Sequence, residues 1–338
     1  MEINTVYVVA PAGHKTGGTE LAHQLVKLLL ENNIPACIAY TNVQEGLDPI
    51  HPAFREYVSD WIGAEDIQDK EGVVIIVPEI NTLILEHYRR AYKIIWWMSV
   101  DFFEKNSCFQ GVAKHFGYLR AIKRFFCGQI NNKMGSIKCA DLHLYQSEYA
   151  RLYLESLGIT NTYPLSDYIN DSYFIDYQDN IRKDYVLYNP KKGIDFTKKL
   201  MQKFPDFMWT PIENMTTQQV GELLRKSKVY IDFGNHPGKD RFPREAAISG
   251  CCVITGMRGA AGNSEDVYIP QDYKFPDRMS SVPLIGAKIK DCLENYDIRI
   301  KDFRAYQERI RNEKKKFETD ALNLIQLIRG DSEEDGEK

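Results

Sequence analysis

Short, nearly unbroken apolar runs alternate with amphipathic segments along this chain, and that alternation restricts its fold more than any other feature. Runs such as Val73-Val74-Ile75-Ile76-Val77 and Ile94-Ile95-Trp96-Trp97-Met98 show no polar alternation, so both faces of each strand need cover. Strands are expected at 4–10, 36–40, 73–77, 93–98 and 142–145, with helices at 19–32, 81–88, 112–126 and 148–157. Periodicity fails from Tyr163 to Lys183, where Asp, Asn and Tyr dominate. A second alternation follows: strands at 185–189, near Met208, at 229–233 and at 251–255, with helices at 194–203, 217–226 and 243–249. Residues 298–328 read as one or two long charged helices. The pattern implies an α/β fold of two Rossmann-like, doubly wound parallel sheets covered by helices.

With 338 residues the chain accommodates two domains of about 150 each. The expected division is a first domain over 1–165, a linker over 166–183 and a second domain over 184–300. Helices over 301–330 are expected to pack back on the first domain, and 331–338 forms an acidic tail with no apolar residue, expected to be disordered. Two such domains face each other across a cleft at the carboxyl ends of their strands, where open α/β sheets bind ligands.

Composition excludes several classes. A net charge of −4 argues against nucleic acid as a partner. No apolar run approaches the roughly 18 residues of a membrane span, and no signal-peptide pattern follows Met1. The seven cysteines are scattered without C-x-x-C spacing, which fits a reducing compartment and a cytoplasmic location. Cys251-Cys252 falls in an apolar strand and reads as packing.

The chemistry-bearing residues cluster just after strands. Pro11-Ala12-Gly13-His14-Lys15-Thr16-Gly17-Gly18-Thr19-Glu20 follows the first strand, and its glycines let a ligand approach the backbone while Thr19 caps the helix. The spacing is neither G-x-G-x-x-G nor a P-loop. After Trp96-Trp97-Met98, Ser99 and Asp101 point toward the cleft, where Asp101 is either a general base for a hydroxyl or a turn cap. Asp141 to Arg151 is structural, with Ser147 as helix cap. Tyr188-Asn189-Pro190-Lys191-Lys192-Gly193 sets two lysines after a strand, as a phosphate contact or a solvated turn. The densest segment runs from Val229 to Thr255: strand, polar loop, a helix opened by Pro243, a Gly250 stop and a second strand. It gathers His236, Lys239, Asp240, Arg241, Arg244 and Glu245 beside a helix N-terminus, an arrangement suited to an anionic ligand. Arg258, with Gly256, Gly259, Gly262 and Asn263, occupies the next post-strand loop.

From Lys105 to Ala140 there is no acidic residue, while Lys105, Lys114, Arg120, Lys123, Arg124, Lys133 and Lys138 are present. Val112, Phe116, Leu119, Ile122 and Phe126 recur at three- and four-residue steps. Two readings of 112–126 stay open: a helix resting on an anionic membrane surface, or one packed on its own sheet with a solvated basic rim.

Taken in order, these motifs resemble the GT-B glycosyltransferases, in particular a divergent branch of the retaining "family 4-like" group from bacterial surface-polysaccharide biosynthesis. Gly17-Gly18-Thr19-Glu20 is similar to that group's G-G-x-E loop. Glu245-Ala246-Ala247-Ile248-Ser249-Gly250 resembles the second half of its paired-glutamate motif, although Pro237 stands where the first Glu belongs. The resemblance implies an acceptor domain over 1–165, a nucleotide-sugar domain over 184–300 and sugar transfer to a glycan or lipid-linked glycan. It implies a diphosphate held by Lys191 or Lys192, Arg241 and Arg244, and a ribose held by Glu245. Gly17, Gly18, His236, Lys239, Asp240 and Arg258 would complete the donor site, and His14 or Asp101 would serve the acceptor. No metal and no cofactor besides the nucleotide diphosphate-sugar are expected: the chain has no Asp-x-Asp, and cations with helix N-termini offset the leaving-group charge. The alternatives are a nucleotide-sugar epimerase of the same shape and a non-catalytic binding subunit. A nicotinamide dehydrogenase is disfavoured, because Thr41 and Asn42 stand where an acidic residue belongs.

Overall fold

The computed structural model describes residues 1–107, 109–127, 130, 135–174 and 182–330. The predicted tail 331–338, Lys133 and residues 175–181 of the predicted linker lie outside them. The chain divides into two compact units. The first comprises 1–146, 150–166 and 316–338; the second comprises 147–149 and 167–315.

The first unit is built on strands β1 (Thr5–Pro11), β2 (Ala36–Thr41), β3 (Trp61–Gly63), β4 (Val73–Pro78), β5 (Tyr92–Trp97), β6 (Leu142–Tyr145) and β7 (Thr162–Pro164). All pair in parallel, in the order β3-β2-β1-β4-β5-β6-β7. The continuous apolar strands take the middle of the sheet: Val74, Ile75, Ile94, Ile95, Trp96 and Trp97 are all fully buried. Helix α1 (Gly17–Glu31) is capped by Thr16 rather than the expected Thr19. Thr19 instead sits at the third helical position and closes a reciprocal capping box: the Thr16 hydroxyl accepts from Thr19 N at 3.2 Å, and Thr16 N donates to Thr19 Oγ1 at 2.8 Å.

Beyond β5 comes α2 (Val100–Ser107), and the expected single helix over 112–126 is two shorter ones, α3 (Phe109–Phe116) and α4 (Tyr118–Phe126). Gly117 breaks the pattern with φ +87°, a left-handed conformation that ends α3 and redirects the chain. Helix α5 (Glu148–Ser156) leads to β7. Strands β3 and β7, at the sheet edges, have only three residues each and escape detection by periodicity.

In the second unit, β8 (Lys183–Tyr188), β9 (Met208–Pro211), β10 (Ser227–Asp232) and β11 (Cys252–Thr255) form a parallel sheet in the order β11-β10-β8-β9. Helices α6 (Ile194–Lys203), α7 (Thr217–Arg225), α8 (Arg241–Ile248) and α9 (Val282–Glu294) accompany it, followed by α10 (Tyr296–Arg299) and α11 (Arg304–Arg329). One apolar core runs from Ile169 through Val186, Ile231 and Ile254 to Ile289, Phe303 and Ile310. Helix α11 supplies residues to both units. Its Phe303-proximal end enters this second core, while in the first unit Phe317 stacks on Trp96 with ring centres 6.5 Å apart. There the Tyr163 hydroxyl also donates to the Asp320 carbonyl at 3.1 Å.

Candidate functional site

Three loops of the second unit leave the carboxyl ends of β8, β10 and β11, and they interlock through glycines. Gly193 has φ +59°, and a Cβ there would lie 2.4 Å from the Phe233 carbonyl carbon and oxygen. A Cβ on Gly234 would lie 2.5 Å from Lys192 Cβ. Only bare backbone passes at this crossing, so the lysine turn after β8 is pressed against the loop after β10. Gly259 repeats the device: its φ is +63°, and an added Cβ would overlap the His236 carbonyl.

That crossing assembles a buried charge cluster. Lys192 Nζ lies 2.5 Å from Asp240 Oδ2. Asp240 Oδ2 is 3.0 Å from His236 Nδ1, and His236 Nε2 is 3.5 Å from Asp232 Oδ1. Asp232 also accepts from the Tyr230 hydroxyl at 3.0 Å and from Gly234 N at 2.9 Å. Burial disfavours the His236 imidazolium, but the two flanking carboxylates outweigh it and raise its pKa to about 9. Burial likewise opposes the Asp232 carboxylate, and His236 overcomes that, holding it at about 2. Ligand atoms of Asp232, His236 and Asp240 all lie within 4.8 Å of one another, with the Lys192 ammonium against Asp240.

A second network lies one turn further along. Arg244 is fully buried, and all five of its N–H groups are taken. Nε donates to the Asp240 carbonyl at 3.2 Å, and Nη1 to Glu313 Oε2 at 2.9 Å and to the Asp167 carbonyl at 3.5 Å. Nη2 donates to Asp167 Oδ2 at 2.7 Å and to the Lys239 carbonyl at 3.0 Å. The expected role of Arg244 as a phosphate fork is therefore corrected: no donor remains for a ligand, and the side chain ties the loop after β10 to Asp167 and to α11. Lys239 Nζ is 2.8 Å from Glu313 Oε1, and Arg241 Nε is 3.8 Å from Asp167. Burial would raise the Asp167 carboxyl, yet Arg244, Lys239 and Arg241 keep it below its ordinary value.

Helix α8 begins at Arg241, two residues before the expected opening at Pro243, with Asp240 at its N-cap; Gly250 ends it with φ +88°. Glu245 is buried within α8. Lys191 is exposed, and its ammonium makes no ion pair among the described residues. Arg258, half exposed, reaches the Phe233 carbonyl at 2.5 Å and Asp277 at 2.7 Å. Lys192, His236, Asp240 and Arg258 thus converge at the loop crossing, Lys239, Arg241 and Arg244 form the adjoining network, and both networks meet at Asp240. Asp167, Asp232 and Glu313 were missed by sequence reasoning. Asp232 carried the one available signal, a charge ending an apolar strand.

In the first unit, the glycine loop again follows a strand. His14 is exposed and donates Nδ1–H to its own loop's Ala12 carbonyl at 2.8 Å, which leaves Nε2 as the outward acceptor of the neutral ring. Gly17 and Gly18 open α1, and a Cβ on Gly18 would meet Met98 Sδ at 3.0 Å. Glu79, a buried carboxylate after β4 also missed from sequence, accepts from Met98 N at 3.1 Å. Asp101, expected to point toward a cleft, is buried in the first turn of α2, with a carboxylate oxygen within 4.8 Å of Glu104 and His115 ligand atoms. Lys114 Nζ already occupies Glu104 at 2.7 Å.

The two parallel sheets, with polar loops at their carboxyl ends, define the fold class of the GT-B glycosyltransferases. Solved structures of that class match 77% to 96% of the chain. A sucrose-phosphate synthase from Thermosynechococcus elongatus superposes with a TM-score of 0.66 at 14% identity, covering 96% of this chain and 98% of that one. HepE of Anabaena, in complex with UDP and glucose, gives 0.60 at 12% identity over 96% and 98%. TarM of S. aureus gives 0.53 at 14% identity over 77% of this chain and 56% of its own. No family model matches the sequence, and no curated protein matches it. Likeness at this level of identity establishes the fold.

Proposed function

We propose that the protein is a glycosyltransferase that moves a sugar from a nucleotide diphosphate-sugar to a glycan or lipid-linked glycan acceptor in bacterial surface-polysaccharide assembly. The observation that carries this reading is the glycine-locked crossing of the loops after β8 and β10. It fixes Lys192 beside the first turn of α8, at the strand ends where open α/β sheets bind nucleotides. The HepE structures hold UDP or UDP-glucose, which makes a uridine diphosphate-sugar the first donor to test.

In this reading Lys192, with Lys191 and Arg258, offsets the charge that develops on the departing diphosphate, and no metal is required. Arg244 acts from behind by holding the loop, and Glu245 accepts from the ribose diol. On the acceptor side His14 replaces Asp101 as the base, because its outward Nε2 is free to take a hydroxyl proton. The acceptor is met at the inner face of a membrane.

Thermal-shift screening against UDP, GDP, TDP and CMP sugars tests the donor, since a ligand that binds the native state stabilises it by mass action. Stabilisation by one nucleotide class, followed by sugar incorporation into an added acceptor, is the expected result. Conversion of the donor to an isomer without acceptor would assign an epimerase, and stabilisation without any product a binding subunit. Indifference to all four classes would end the reading.

A further inference from the structure

The Gly117 break gives α4 an unusual orientation. Tyr118, Leu119, Ile122, Phe125 and Phe126 fall at i, i+1, i+4, i+7 and i+8, one stripe about 120° wide on a helix that turns ~100° per residue. Surface helices ordinarily turn such a stripe inward. Here only Ala121 is buried, while Leu119 is 85% exposed, Phe126 83%, Tyr118 68% and Phe125 59%. The stripe is held together from beneath: Phe109 of α3 meets Tyr118 edge-on at 5.2 Å and Phe125 at 6.2 Å, and Phe125 meets Phe126 at 5.9 Å.

Charge identifies what covers this face. Lys123 borders the stripe and Arg120 follows further round the helix; both are exposed and have no ion-pair partner among the described residues. Arg124 lies over the Phe116 ring, 4.7 Å from its centre. No acidic residue occurs from Lys105 to Ala140, in a protein whose net charge is −4, so the positive charge is local. Two copies of such a face would repel each other. An apolar stripe with unpaired cations on the same helix instead matches the acyl–headgroup boundary of an anionic bilayer. No described helix is long and apolar enough to cross a membrane, so α4 would lie in the plane of the surface.

We propose that α4 docks the protein on anionic phospholipid bilayers by inserting Leu119, Phe125 and Phe126 between headgroups, with Lys123 at the edge of the stripe and Arg120 beyond it adding electrostatic attraction. The inference deepens the proposed function by fixing where a lipid-linked acceptor is met, but its test involves no turnover. Failure here leaves the donor reading intact, and the reverse also holds.

The test is co-sedimentation of the full chain with vesicles of phosphatidylcholine alone and of equal parts phosphatidylcholine and phosphatidylglycerol. Binding is expected only to the anionic vesicles and should fall as salt rises. A variant carrying Arg120→Glu and Lys123→Glu should lose on the order of 25-fold or more in partitioning, about fivefold per charge removed. A second variant, Leu119→Ser with Phe126→Ser, should lose at least ~10-fold. Both exchanges are at exposed positions, so their melting temperatures should stay at the wild-type value. Wild-type protein that stays in the supernatant with anionic vesicles overturns the proposal, as does undiminished binding by the charge-reversed variant. So does a concentration-dependent dimer abolished by Phe126→Ser, which would make the face a self-interface.

Discussion

Lys192 Nζ lies 2.5 Å from Asp240 Oδ2, so the ammonium proposed to meet a donor diphosphate is held by a carboxylate at the cap of α8. A phosphate competes for that lysine with a carboxylate that still has His236 beside it at 3.0 Å. Replacing Lys192 by Ala should therefore weaken UDP binding about 10- to 100-fold, the weight of one charge-assisted contact. Because Lys192 is partly exposed and Asp240 retains His236, stability should change by less than about 1 kcal/mol. Calorimetric titration beside thermal melts separates the two effects. Equal UDP affinity in the variant would remove Lys192 from the donor site.

Arg244 behaves in the opposite way. Its guanidinium is closed off between Asp167 and Glu313, and removing one partner of a buried pair leaves uncompensated charge. Arg244→Ala is expected to destabilise the chain by about 3–5 kcal/mol in chemical denaturation. Asp167→Asn should reproduce a fraction of that loss. If Arg244 were a ligand contact, its removal would cost donor affinity and leave the unfolding midpoint unchanged.

The contrast between Lys192 and Arg244 marks how far the sequence could be read. Continuous apolar runs gave the strand positions of both sheets within a residue or two, because burial on both faces imposes a local signature. The three-residue edge strands β3 and β7 carry no such signature. The loops after β8, β10 and β11 were found because charge after an apolar strand is visible in one dimension. The direction of each side chain was not. Arg244 faces Asp167, which falls where periodicity fails, and Glu313, which sits among the many charges of α11. Nothing local marks either as its partner. Asp101 was placed correctly after β5 but turned inward by α2, a helix that sequence periodicity did not reveal. Gly117 likewise exposed a stripe that a continuous helix would have buried.

His236 gives the site a pH signature. Its pKa is raised to about 9 in the folded chain against 6.5 for the free side chain. A raised pKa contributes stability that is complete below about pH 6.5 and is lost as pH climbs through 9. Lys274 runs the other way: burial lowers it to about 8, so its unfavourable charging relaxes above that pH. The difference between wild type and His236→Gln isolates the histidine, because Lys274 is common to both. The stability gap should be widest near pH 6 and close toward pH 9. A constant gap over this range would show that His236 is not charged in the folded state. Asp232, held at about 2, contributes stability that persists down to about pH 4 and falls below it.

Gly193 tests whether the loop crossing matters as a unit. Alanine there meets two penalties: a left-handed backbone, which costs roughly 1–2 kcal/mol for an L-residue, and a Cβ only 2.4 Å from the Phe233 carbonyl. Neither relaxes unless the turn after β8 moves away from the loop after β10. Moving it would carry Lys192 off Asp240. Gly193→Ala should therefore lower the melting temperature and weaken UDP binding together, whereas Lys192→Ala affects binding alone. A Gly193→Ala protein that unfolds earlier yet binds UDP normally would show that the crossing supports the fold without shaping the site.

Glu245 provides the sharpest separation of donor from acceptor. It is buried in the second turn of α8, beyond the Asp240 cap. If it accepts from both hydroxyls of a ribose, deleting it removes two hydrogen bonds to a charged group, each worth about 1.5–3 kcal/mol. Glu245→Ala should then raise the donor KM by at least about tenfold and leave the acceptor KM within about twofold. Glu245→Gln keeps one accepting oxygen and should fall between. A nucleotide lacking the ribose 2′-hydroxyl gives an independent check: the wild type should discriminate against it and Glu245→Ala should not. Should both proteins discriminate equally, the ribose is held by another residue and Glu245 serves only its helix.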